Sequence, residues 1–264
     1  MNFKIGILGL AFLLLTGASA AAAPGAPEIM KEVQVDLNHD GINETVTVLG
    51  SSVYENSKFR MNLELRIKDG ATQKISKTKV GDAGYEVTLE TVEVTGESPL
   101  EILVSVATGA NKGVRDFQIF TWGDKGIKPL FTPENQPMLD IKGTLIPNFQ
   151  AALTEQSSGA QFYMDVQAGK ERYVKEKVYN KEGVMKSKIR IQVDSLPLIA
   201  LQAVDKDGDG TQELVSTQEL LESSSRISKM TALWKYQNKK WVLQRIDSDQ
   251  PLSFQKKKVE IEKQ

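Results

Sequence analysis

Two short acidic segments carry the clearest chemistry in this chain. One runs Asp36-Leu-Asn38-His-Asp40-Gly41-Ile42-Asn-Glu44, the other Asp205-Lys-Asp207-Gly-Asp209-Gly210-Thr211-Gln-Glu213. Both place oxygen-bearing side chains at loop positions 1, 3, 5 and 9, and glycine at position 6. Alternate residues of a tight loop point inward, so the first three oxygens converge. The glycine permits the sharp turn, and the carbonyl of position 7 (Ile42 or Thr211) adds a neutral oxygen. A hard cation that takes about six to eight oxygens suits this set, and calcium is the first choice. The expected ligands are therefore Asp36, Asn38, Asp40, Ile42 and Glu44, and Asp205, Asp207, Asp209, Thr211 and Glu213.

The elements that position these loops are strands. Helix–loop–helix calcium sites need a bidentate glutamate at position 12, where this chain has Thr47 and Ser216. The flanks, such as Val33-Gln-Val35 and Thr45-Val-Thr-Val-Leu49, are β-branched and partly alternating. A weaker copy of the frame runs from Glu93 to Glu101, with Ser98 in place of the glycine. The three loops begin at residues 36, 93 and 205, so the intervals are 57 and 112 residues, the second close to twice the first. A further unit is expected near residue 150. The loop there, Glu155 to Gly159, has no ligand set.

Each loop is followed by an alternating strand, a polar turn and a returning strand, the pattern of a hairpin. Phe59–Ile67 leads to Asp69-Gly70, Asp116–Trp122 to Gly123–Gly126, and Met230–Tyr236 to Gln237–Lys240. Arg172–Tyr179, the turn Asn180–Gly183 and Met185–Val193 are read as the same rhythm. The expected fold is all-β: four-stranded antiparallel units, propeller-like, four units with one degenerate. The loops, their DGxxE endings and the strand DFQIFTWGDKG resemble the FG-GAP/VCBS-type repeats of exported bacterial proteins. The resemblance spans about residues 32–247 and implies integrin-like calcium-loop β-propeller blades. It implies no shared reaction.

Residues 1–20 read as a secretory signal: Lys4, an apolar run from Ile5 to Leu15, then Ala18-Ser-Ala20. The expected order is signal (1–20), leader (21–31), repeat domain (32–250) and charged tail (251–264). The compartment is then the cell envelope or exterior, without a membrane span after cleavage. With no cysteine, a lipid-modified N-terminal cysteine and disulfides are excluded, and the expected protein is not lipid-anchored. Formal charge is −1, which gives no push toward nucleic acid. One histidine, His39, and no cysteine rule out His/Cys zinc chemistry and leave no base for a serine triad. No catalytic residue emerges. The leading expectation is a non-enzymatic, calcium-stabilised binding or scaffold module with a cell-surface, matrix or envelope partner. The alternative is an extracytoplasmic, glycan-directed hydrolase whose acids cannot be recognised from sequence.

Overall fold

The computed structural model describes residues 25–97, 99–109, 113–186, 191–222 and 225–254. The signal read at 1–20, Ser98 and the tail from 255 lie outside them. Among the described residues the chain is all-β and antiparallel, and no helix is long and apolar enough to cross a membrane.

The first sheet is a plain meander of β1 (Pro27–Val35), β2 (Glu44–Ser52), β3 (Arg60–Lys68) and β4 (Ile75–Gly84). The second repeats it with β5 (Val87–Val92), β6 (Glu101–Ala107), β7 (Arg115–Gly123) and β8 (Gly126–Phe131). β1 lies against β5 and β4 against β8, so the two sheets stack in the same order. Alternation along β6 explains how one sheet serves two cores. Ile102, Val104 and Val106 pack with Val46, Val48, Leu63, Leu65 and Ile67 of the first sheet. Leu103 joins Phe117 and Ile119 in a core shared with the rest of the chain.

That remainder is one nine-stranded sheet. It contains β9 (Ile141–Ile146), β10 (Gln150–Glu155), β11 (Gln161–Asp165), β12 (Gln192–Ser195), β13 (Ala200–Val204), β14 (Glu213–Glu222), β15 (Ser225–Gln237), β16 (Lys240–Ser248) and β17 (Leu252–Phe254). The order is β16-β15-β14-β12-β9-β10-β11-β17, with β13 also on β14. The end strands β16 and β17 are consecutive in the chain, so the sheet curls into a nearly closed barrel. β14 is long enough to pair β13 through Glu213–Thr217 and β12 through Leu220–Glu222. The meander β13-β14-β15-β16 thus reproduces the first two units inside the barrel wall.

Three expectations are corrected. Arg172–Tyr179 is not a strand, because Lys170–Lys175 forms a short helix, α1. Its residues are mostly good helix formers, Arg172 and Glu176 pair across one turn at 3.2 Å, and Tyr173 faces the core with no exposed area. The following turn is where it was expected: Gly183 N–H donates to Asn180 O, and Tyr179 bridges Met185. The region expected to be a separate third unit instead lends its strands to the barrel. The boundaries of the repeat domain also move outward. β1 begins at Pro27, where an edge strand tolerates proline and Met30 reaches the core. β17 takes Leu252–Phe254 from the expected tail, since Leu252 packs on the core and Phe254 stacks on Phe162 at 5.3 Å.

The aromatics are chiefly core: Phe117, Phe120, Tyr173 and Trp234 are buried, and Trp234 Nε1 donates to Ser216 Oγ at 2.9 Å. Close packing shows at Gly143 in β9, where an added Cβ would fall 2.1 Å from the Ala152 carbonyl oxygen. A backbone atom cannot yield as a side-chain tip can. Gly143→Ala is expected to cost about 3 kcal/mol by overpacking, read as a lower urea midpoint at unchanged slope.

Candidate metal centre: three acidic loops on one edge

Each acidic loop joins the first two strands of a meander, so stacking the meanders brings the loops together. Leu100 N–H donates to Leu37 O at 3.0 Å, linking the second loop to the first. Gln212 N–H donates to Glu93 O at 2.6 Å and Glu93 N–H to Gln212 Oε1 at 2.8 Å, linking the second to the third. The loops form a contiguous row along one edge.

In the first and third loops the Asp and Asn side chains hold the backbone turn, and in the second, which has no aspartate, the Thr95 hydroxyl accepts from Glu97 N–H at 3.2 Å. Asp36 accepts from Asp40 N–H at 3.1 Å and Gly41 N–H at 2.9 Å. Asn38 Oδ1 accepts from Asp40 N–H at 3.0 Å, and Asp40 Oδ1 from Ile42 N–H at 2.8 Å. The third loop matches it. Asp205 accepts from Gly208 at 2.6 Å and Gly210 at 3.1 Å, Asp207 from Asp209 at 3.2 Å, and Asp209 from Thr211 at 2.8 Å. Position 4 is left-handed in all three loops: His39 at φ 61°, Gly96 at 71°, Gly208 at 79°. Glycine adopts this conformation without a Cβ penalty, whereas histidine is strained. His39 is exposed, so His39→Gly is expected to raise stability by about 0.5–1 kcal/mol, measured as a higher denaturant midpoint.

The position-9 glutamates do something the sequence did not reveal. Glu44, Glu101 and Glu213 open β2, β6 and β14 and are at most 2 % exposed. In each case Oε2 accepts the N–H of position 2: Leu37 at 2.8 Å, Val94 at 3.0 Å and Lys206 at 2.9 Å. Each is a clasp that closes its loop onto the strand. The second oxygen differs between loops. Glu44 Oε1 accepts from Gly70 N–H at 3.3 Å, and Glu101 Oε1 from the Thr95 hydroxyl. Glu213 Oε1 makes no directional hydrogen bond and lies 3.1 Å from Lys235 Nζ. Burial raises the Glu101 pKa, against the hydrogen bonds from Thr95 and Val94. Glu155, in the expected degenerate unit, is also fully buried and is wrapped by the N–H and hydroxyl groups of Ser157 and Ser158.

Only in the third loop, among the described residues, do three carboxylates converge. Oxygens of Asp205, Asp207 and Asp209 lie within 4.8 Å of one another. Lys235 Nζ sits against the same group, 2.6 Å from Asp207 and 2.8 Å from Asp209. The three carboxylates of Asp207, Asp209 and Glu213 hold the ammonium protonated well above its usual range, and Lys235 in turn holds Asp209 low. Strand register explains the placement. Leu214 pairs Trp234, so Lys235 falls opposite Glu213; the same step puts Asp69 opposite Glu44 and Thr121 opposite Glu101. A lysine at this step could have been found by aligning the three meanders, but only once their register was known. The donor set fits a hard cation best at the Asp205 loop, where the oxygens are carboxylates already gathered and a cation is already stabilised. At the Asp36 loop the ligands expected from sequence surround the turn, with Asn38 replacing one charge. Ile42 and Thr211 enter through N–H groups that Asp40 and Asp209 accept.

No curated protein and no solved structure matches the chain. Residues 139–248, which begin just before β9 and end with β16, match the family model of the YybI C-terminal domain; the barrel and its Asp205 loop are thus similar to that family, and the two preceding sheets lie outside the match.

Proposed function

We propose that the protein is an exported calcium-loop β-repeat module that serves as a binding or scaffold component of the bacterial cell envelope. The observation that carries the reading is the row of three loops at corresponding places in their meanders, of which the Asp205 loop gathers Asp205, Asp207 and Asp209 within 4.8 Å. In this reading the three loop-headed meanders are propeller-like blades of the FG-GAP/VCBS kind, stacked rather than scattered. Asp205, Asp207, Asp209 and Glu213 would hold the strongest calcium, with the Thr211 carbonyl. Asp36, Asn38, Asp40 and Glu44, with the Ile42 carbonyl, would hold a weaker one. Bound calcium neutralises the crowded charge and locks the edge, the role that disulfides play in other exported chains. The signal-like residues 1–20 support export, and calcium outside cells suits sites with dissociation constants of about 10⁻⁴ to 10⁻³ M.

Cell fractionation tests this. The protein should be recovered from the envelope beginning at or near Ala21, should be released by a calcium chelator, and should rebind when calcium is restored. An intact Met1 on the recovered protein, or equal retention with and without chelator, would contradict it.

A further inference from the structure

The end of the molecule opposite the acidic loops carries a second built feature. β6 starts at Glu101, which clasps the second acidic loop, and ends at Ala107 beside a cleft of about 580 Å³ between the first two sheets. Two irregularities shape it. In the β3–β4 ladder Leu63 pairs Gly81 while Glu64 pairs Lys79, so Val80 is an extra residue, and a bulge of this kind re-aims the strand. Across from it, Asn62 is left-handed at φ 54° in mid-strand. The Val80 carbonyl accepts from the side chain of the buried Gln118, tying the two sheets at the cleft. Gly81 lines the cleft, and a Cβ built on it meets no atom within 4 Å.

The lining is apolar at its floor and acidic above. Leu63, Val80 and Val106 are buried. Asp116 projects into the cleft half-buried, and among the described residues its carboxylate has no hydrogen bond or ion pair. Glu134 is the other acid without a basic partner. Among the described residues its side-chain partner is the Thr132 hydroxyl, and the one cation of the lining, Lys79, is already paired with Asp82. Burial, and then the charge of Glu134, push the Asp116 pKa up, the response of a carboxylate lacking a counter-charge.

We propose that this cleft is a binding site for an organic cation, a primary ammonium on an apolar stem, with Asp116 as its counter-ion. A metal ion is the poorer occupant. It needs three or more converging oxygens, and no such group includes Asp116 among the described residues. An ammonium needs one carboxylate for its charge and an apolar wall for its methylenes. The proposal does not depend on calcium binding.

Titration calorimetry of the full chain with 1,5-diaminopentane, pentane-1,5-diol and Nα-acetyl-lysine amide tests it. The diamine should bind and the diol should not. Asp116→Asn, which keeps shape and removes charge, should weaken binding about tenfold or more. Gly81→Leu should abolish it by filling the cleft, with an unchanged melting temperature as the control for folding. Equal affinity for the lysine amide would identify a partner's lysine side chain as the source of the ammonium. Binding of the diamine alone would identify a free polyamine. Failure of both amines to bind at millimolar concentration, equal binding of the diol, or undiminished binding by both variants would overturn the proposal.

Discussion

Replacing Glu44 by alanine is expected to lower stability by about 3 kcal/mol, the largest effect of any single change in the first loop. Its carboxylate accepts from Leu37 at 2.8 Å and Gly70 at 3.3 Å in a fully buried position. Alanine leaves two N–H groups without an acceptor and opens a cavity. Glu44→Gln keeps an acceptor and should cost about half as much. Replacing Asp40, which is exposed, should cost less than either without calcium. Urea unfolding of the three variants checks the order. If Glu44→Ala unfolds at the wild-type midpoint, the clasp is not what closes the loop.

The other buried glutamates add a pH signature. Glu101 has a pKa raised by burial, so the folded protein holds that proton more readily than the unfolded chain. Its contribution is therefore least favourable at neutral pH and improves as pH falls below its raised value toward the ordinary 4.5. Glu155 has the opposite sign: burial raises its pKa, but the hydrogen bonds from Ser158 and Ser157 outweigh it and hold it below 4.5. Its contribution is present above 4.5 and lost as pH falls through the folded value. Glu155→Gln should therefore cost more at neutral pH than in acid, and Glu101→Gln should cost less at neutral pH than Glu155→Gln.

Calcium should raise the melting temperature by about 5–10 °C. A site at ten times its dissociation constant gains about 1.4 kcal/mol, two sites about twice that, and a domain of this size shifts about 2–4 °C per kcal/mol. Magnesium should do much less, since it demands a smaller octahedral cage and dehydrates reluctantly. Asp207→Ala should remove more of the increment than Glu97→Ala. Lys235 makes the prediction sharper. Its ammonium lies against Asp207, Asp209 and Glu213 and offsets one of their three charges, so calcium must displace it. Lys235→Met should therefore lower stability in chelator, where like charges are left crowded, and enlarge the calcium increment. A variant that gains nothing more from calcium than the wild type would show that the ammonium and the ion do not share the site.

Legibility followed the range of the interactions. Local patterns were read correctly: the place of the loops between strands, the strands β3, β7 and β15, and the turns at Asp69, Gly123 and Gln237. What failed was decided by distant partners. Arg172–Tyr179 has β-branched and aromatic residues that suit a strand, yet Tyr173 finds its buried place from α1. Ala200–Val204 pairs with β14, but its sharing of that strand with β12 depends on residues 193–195, which nothing local announces. Leu252–Phe254 looked like tail because its partner, β11, lies some ninety residues earlier. At the site, the spacing of Asp205, Asp207 and Asp209 announced their convergence. The same spacing gave no hint that position 9 is buried and turned onto the position-2 N–H. Lys235 was invisible, since its approach depends on the register of β15 on β14.

The central claim is that the acidic loops are unequal calcium sites, and calorimetric titration of calcium into the full chain tests it most directly. The predicted result is exothermic or entropy-driven binding at two sites. The tighter should vanish in Asp207→Ala and the weaker in Asp40→Ala, with Glu97→Ala unchanged. No calcium-dependent heat and no calcium-dependent stabilisation, or an Asp207→Ala variant that retains both sites, would contradict it and leave the loops as backbone turns held by their own aspartates and by Lys235.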